Sequence, residues 1–366
     1  MDQQQQQTTP AMRRTLLVFN CFLLAVGTCG GPLLMRLYFL HGGNRVWLST
    51  FLETGGCPII FIPLLISYIH RRRRRAHSLN PSESTNSTEM IFMKSRLFLA
   101  SGVIGIITGF VDFLYAYGVA RIPVSTSALI RACQLAFTAG FAFWLVKQKF
   151  TAYSINSVVL VTAGGAILAL HTSGDRRAGE SNREYIEGFL TTVAASVVYG
   201  FILPLVELTY KKARQQITYT LVLEVQLIMS LFATLVCSIA MLINNDFQMI
   251  AMEAEAFGLG KAKYYVILVL SAIIWQGFFL GVIGVIFSSS SFFSGIIIAV
   301  LLPVTEILAV VTFNEKFQAE KTISLILNLW GFVSYFYGEI KHNKKKMKNL
   351  ELQRRAETTT TQITNI

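Results

Sequence analysis

Long apolar runs separated by short polar loops dominate the chain. Each run has about the length a helix needs to cross a hydrocarbon core of roughly 30 Å. Ten runs are legible, at roughly 15–39, 46–70, 97–119, 123–146, 151–171, 187–210, 219–243, 264–286, 289–312 and 321–340. A backbone in lipid must satisfy its own hydrogen bonds. The pattern therefore predicts an all-α polytopic membrane protein with ten transmembrane helices. The polar flanks, 1–14 and 341–366, are expected to be an unstructured N-terminus and a basic C-terminal tail.

The two halves of this pattern repeat each other. Lys149-Phe150-Thr151-Ala152 and the apolar run to Gly164 match Lys316-Phe317-Gln318-Ala319 and the run to Gly331, at an offset of 167. Pro32-Leu33-Leu34 through Tyr38 matches Pro204-Leu205-Val206 through Tyr210, and Glu53 falls opposite Glu224. An odd number of spans per copy turns the second copy upside down. The expected organisation is a first five-helix repeat at 15–171, a linker loop at 172–186 and an inverted second repeat at 187–340. Inverted repeats are characteristic of secondary transporters, whose halves rock around a site near the midplane. Pro32 and Pro204 hold matched places in spans 1 and 6 and read as paired hinges, because a mid-span proline frees a carbonyl and bends the helix.

Composition removes several function classes. The 366 residues are 53% hydrophobic and 14% charged, with mean hydropathy +0.52, too little charge to cover a soluble domain. Little sequence lies outside the spans, so no soluble catalytic domain is expected. The net charge of +12 raises nucleic acid, but the cations flank the spans. With both termini placed in the cytoplasm, twenty-one cations fall inside and nine outside, while Arg36 and Arg131 lie within spans. That excess orients the chain with both ends cytoplasmic, and nucleic acid is not an expected partner. The arginine run 71–75 reads first as a topology determinant and second as a contact for anionic lipid. The sequon at Asn86 falls on the cytoplasmic side. Cys21, Cys29, Cys57, Cys133 and Cys237 all fall in spans, so no disulfide framework is implied, and the five histidines have no ligand spacing. No metal or other cofactor is expected. Gly27 and Gly31 in span 1, and Gly277, Gly281 and Gly284 in span 8, read as close-packing positions between helices.

An ionisable residue inside a span costs a few kcal/mol, about 2.5–3.5 on insertion scales, and so asks for a reason. Glu207 has Lys211 at i+4 and reads as structural. Asp112 and Arg131 stand at equal depth on adjacent antiparallel spans, joined by a turn at Arg121-Ile122-Pro123, and read as a structural ion pair. Glu53 and Glu224 are repeat mates at opposite depths. A carboxyl in a poorly hydrated cleft can load and release a proton near physiological pH. Glu53, Glu224 and Glu306, beside Pro303, are therefore the proton-coupling candidates. Recognition chemistry comes from Tyr115, Tyr117, Gln134, Tyr199, Trp275 and Gln276. A flat heteroaromatic ligand wants a stacking face with in-plane donors and acceptors.

The stretches GGPLLMRLYFLHGG (30–43), LETGGCPIIFIPL (52–64), DFLYAYGVARIPVSTSALI (112–130), IIWQGFFLGVIG (273–284), LPVTEILAVVTFNEKFQAEK (302–321) and LWGFVSYFYGEIK (329–341) resemble the plant purine permeases of the drug/metabolite transporter superfamily. The resemblance runs from about residue 15 to 341. It implies proton-coupled uptake of adenine, other purine bases and cytokinins; some relatives move alkaloids or vitamin B6. The plasma membrane is the expected location, with an internal membrane left open. The resemblance also implies a cavity between spans 1, 3, 4, 6, 8 and 9. That would place Tyr115, Tyr117, Gln134, Tyr199, Trp275, Gln276 and Glu306 in the lining. Arg131 stands where the family pattern leads one to expect a small or neutral residue, and Cys57 where relatives often carry an aromatic. A cation in the wall would change substrate choice unless Asp112 neutralises it. The expected function is a secondary transporter rather than an enzyme, with a small heteroaromatic substrate and protons as partners. The alternatives are alkaloid or vitamin B6 transport, nucleotide-sugar or phosphate exchange, and a non-transporting sensor. Monomer and dimer both stay open.

Overall fold

A computed structural model describes residues 10–76, 93–122, 124–170, 182–213, 215–313 and 319–364. Asn86, Pro123, most of the 172–186 linker and Lys316-Phe317-Gln318 lie outside the described residues. The described chain is helical: α1 (Pro10–Leu40), α2 (Val46–Thr54), α3 (Pro58–Ala76), α4 (Ser95–Val119), α5 (Val124–Val146), α6 (Ala152–Leu170), α7 (Asn182–Lys212), α8 (Tyr219–Ile243), α9 (Asp246–Ala256), α10 (Lys261–Ser288), α11 (Ser291–Phe313) and α12 (Ala319–Thr364).

Among the described residues, eight segments are long and apolar enough to cross a membrane, and two shorter apolar stretches, Cys133–Val146 and Ala152–Gly164, lie in α5 and α6. Many large apolar side chains stand on the surface. Trp144 (71% exposed) and Ile243 (75%) face outward, whereas Glu53, Asp112 and Gln276 are completely buried. That inversion is what a lipid solvent selects.

Three features depart from the sequence reading. The span expected at 46–70 is interrupted at Gly55-Gly56-Cys57, which separates α2 from α3. Two glycines weaken the helix there, and Pro58 disfavours helical geometry at Cys57 while fitting the first position of the next helix. The loop after α8 contains a further helix, α9, rich in Ala, Met, Glu and Gln, all good helix formers. Helix also enters both flanks expected to lack structure: α1 begins at Pro10, and α12 continues to Thr364 through a run of Lys, Leu, Gln and Arg. Pro32 and Pro204 lie inside α1 and α7, and both helices continue through them.

Packing pairs α1 with α10 and α11, α4 with α7 and α8, α5 with α7 and α6, α2 with α8 and α10, and α12 with α6 and α11. The α1–α10 contact is close. A Cβ on Gly27 or Gly31 would meet Phe278 or Trp275, and one on Gly281 or Gly284 would meet Leu24 or Asn20. At the α6–α12 contact Gly164 abuts Ser324, Leu327 and Asn328, while Gly331 abuts Ser157, Leu160 and Val161. All five cysteines are free thiols.

Candidate functional site

A cluster of buried polar groups gathers where α2 ends. Glu53 occupies the last turn of α2, and neither of its carboxyl oxygens has a hydrogen-bond partner. The next residue, Thr54, accepts from Thr234 at 3.1 Å and also meets the Cys237 thiol, both on α8. Asp112 of α4 and Arg131 of α5 lie within electrostatic reach of Glu53. Past the break, Gly56 touches Ala272 and Gln276 of α10. The Gln276 side chain is wholly buried, and neither its oxygen nor its nitrogen has a partner. Trp275, next to it, lays its indole on Gly31 of α1. In this conformation the voids here are small. One, lined by Thr54, Thr108, Gln226 and Ser230, and another beside Trp275 and Ser271, each measure about 10 Å³. That is room for about one water.

The ion pair expected between Asp112 and Arg131 is not formed. The Tyr199 hydroxyl of α7 donates to Asp112 Oδ1, and Asp112 Oδ2 is buried with no partner. Arg131 donates to the Tyr115 hydroxyl at 2.8 Å, with its guanidinium 4.7 Å from that ring's centre. Equal depth brings the two residues into one layer, but each turns toward a tyrosine. Tyr199 and Tyr115 therefore join the site through charged partners. Tyr117 stands apart: Arg121 covers its ring at 3.3 Å, and it neighbours Phe113, which stacks on Trp47.

Gln134 is buried on α5, and its backbone carbonyl accepts from the Thr138 hydroxyl. Glu224 is buried on α8, ten residues before Thr234 and so about 15 Å along the helix from the Thr54 contact. Glu306 lies in α11 beyond Pro303, and its side chain is outside the described ones. Glu207 is structural as expected: Lys211 pairs with it at 2.7 Å, and the Ser291 backbone N–H and hydroxyl donate to its other oxygen at 2.7 and 2.6 Å. The sequence reading passed over Thr54, Thr234 and Cys237. Their only signal is small polar side chains inside otherwise apolar spans.

A second polar cluster sits at the corner where α1 turns into α2. Tyr38 and Tyr264 (the latter at 3.1 Å) both donate to Glu253 Oε1 of α9. Arg45 reaches Asp246 at 3.3 Å and Glu253 Oε2 at 3.8 Å, and the Asn44 N–H donates to the same oxygen.

Apolar helices with an apolar exterior and a charged, amide-bearing interior define a polytopic membrane protein. The comparisons agree. Residues 15–345 match the family described as purine nucleobase transmembrane transport. Purine permease 3 of Arabidopsis thaliana is 58% identical, covering 92% of this chain and 94% of that protein. Purine permease 2 of the same plant is 52% identical, covering 91% and 94%. A crystal structure 14% identical in sequence superposes with a TM-score of 0.56 over 89% of this chain and 97% of that one, a likeness of fold alone. The chain belongs to the purine permease family.

Proposed function

We propose that this transporter imports purine bases such as adenine, and derivatives such as cytokinins, together with protons. The path is alternating access between two inverted halves of five spans each, α1–α6 with α2 and α3 as one span and α7–α12 with α9 outside the spans, across the plasma membrane, with both termini cytoplasmic. The observation that carries the reading is Glu53: a carboxyl with no hydrogen-bond partner, wholly buried at a helix break whose Gly56 touches Gln276, a residue with an equally unpartnered amide. A buried polar group without a partner is costly, so a site that retains two of them is built for something that arrives. A proton suits the carboxyl. The in-plane nitrogens of a base suit the amide, with the Trp275 indole as the apolar face.

Packing symmetry supports the halves. The α1–α10 pair answers α7–α4, α5–α7 answers α11–α1, α4–α8 answers α10–α2, and α5–α6 answers α11–α12. The contacts of Gly164 and Gly331 are one set displaced by the 167-residue offset. Pro32 and Pro204 remain the matched hinges in this reading, and Glu224 and Glu306 further proton sites. Phosphate exchange loses support, because Arg131 is engaged with Tyr115 and Arg36 lies over the Phe313 ring.

The test is uptake of labelled adenine into yeast lacking its own purine uptake, at two external pH values, with and without a protonophore. Uptake that rises at acid pH and collapses with the protonophore is expected. Surface-expressed protein without such uptake would defeat the reading and turn attention to alkaloid or vitamin B6 substrates.

A further inference from the structure

Glu53 and Asp112 come from different helices, α2 and α4, and both are completely buried. Three of their four carboxyl oxygens have no hydrogen-bond partner, the fourth being held by Tyr199. Thr54, next to Glu53, bonds to Thr234 of α8, and Gly109, one turn before Asp112 on α4, abuts Ala233 and Val236 of α8, so the two acids reach the same level of α8 and lie in each other's electrostatic reach. The cation within electrostatic reach of Glu53 is Arg131, which donates to the Tyr115 hydroxyl. From α10 comes the uncharged Gln276; the acids of α9, Asp246 and Glu253, are engaged at the far end of α2 by Arg45. Glu224, on α8, is thirteen residues from Cys237, about 20 Å along the axis.

We infer that Glu53 and Asp112 work as one unit that holds a single proton between two carboxyls, with Tyr199 the positioning residue for Asp112 and Arg131 its counter-charge. This rests on the proton-coupled reading above. Two carboxylates close together in a dry site cannot both stay ionised at little cost, so one proton is shared and its loading belongs to the pair. With the proton on, the remaining negative charge balances Arg131 and the site is neutral. With it off, the site carries one net negative charge. The proton enters from water on one face and leaves to water on the other, and no bond in the substrate changes. Asp112 thus changes role, from half of a structural pair to half of the coupling device.

The experiment uses the full chain in the same yeast. It measures uptake of labelled adenine against external pH, and exchange of labelled for preloaded unlabelled adenine, which needs no net proton movement. Glu53→Gln and Asp112→Asn are each expected to cut concentrative uptake by about tenfold or more and flatten its pH dependence, with exchange falling far less. The double variant should be no worse than either single one, because the two residues share one proton. Tyr199→Phe should shift the pH profile of uptake. If Asp112→Asn abolishes exchange as well, Asp112→Glu decides: a restored pH-dependent uptake upholds the pair, and none overturns it. Wild-type pH dependence in Asp112→Asn, or additive losses in the double variant, would overturn the pair while leaving proton coupling intact. A wild-type protein indifferent to pH and protonophore would remove proton coupling and the pair with it.

Discussion

The corner cluster around Glu253 and the interior cluster around Glu53 use the same chemistry to opposite ends. At the corner, two tyrosine hydroxyls, a guanidinium and a backbone N–H converge on one carboxylate, and both of its oxygens are occupied. In the interior, Glu53 has no hydrogen-bond partner on either oxygen, Asp112 has one on a single oxygen, and Gln276 has none. A fully satisfied polar network in a low-dielectric setting is rigid, while a partly satisfied one is poised to accept a new partner. The first ties α1, α2, α9 and α10 together, and the second is where ligand and proton can gain most.

The largest expected effect separates the two on opposite readouts. Gln276→Leu removes a buried amide that bonds to nothing, so the purified protein should melt at the same or a higher temperature while adenine uptake falls about tenfold or more. A lower melting temperature would move Gln276 to the structural side of the comparison. Arg45→Ala should do the reverse, costing about 1–2 kcal/mol of stability, less than a fully buried pair because Arg45 keeps about a third of its exposure. Thermal melting in detergent checks it, and an unchanged melt would show that the corner holds nothing together. Smallest is Tyr264→Phe, which removes one of two hydroxyls on Glu253 Oε1 and should cost about 0.5–1.5 kcal/mol in the same assay. A loss of uptake without a loss of stability in that variant would blur the distinction.

What was legible in the sequence, and what was not, follows from what a single chain encodes. Depth in the membrane can be read from position along an apolar run, so Glu53, Asp112 and Gln276 could be singled out as interior groups. Direction around the helix axis is set by neighbours. Asp112 and Arg131 share a layer yet turn to Tyr199 and Tyr115, and no spacing rule announces that. The interruption between α2 and α3 was written in Gly55-Gly56-Cys57-Pro58, but averaging over an apolar window of 46–70 hides a local turn. The α9 helix escaped because its eleven residues are too few and too polar to register as a span. Asp246 and Glu253, which complete the corner, went unnoticed with it.

The contact between Glu207 and Ser291 bears on how the molecule can move. Glu207 sits near the end of α7, and through Ser291 it closes the start of α11 with two short hydrogen bonds. Pulling those helices apart would strand a buried carboxylate and expose the first turn of α11 at once. Lys211, on α7 itself, could not compensate for the lost backbone donor. The end of α7 beyond Pro204 and the start of α11 are therefore expected to travel together. Bending is left to places such as the Gly55–Cys57 interruption, which hydroxyl and thiol contacts from Thr54 and Cys57 to Thr234, with no carboxylate among them, tie to α8.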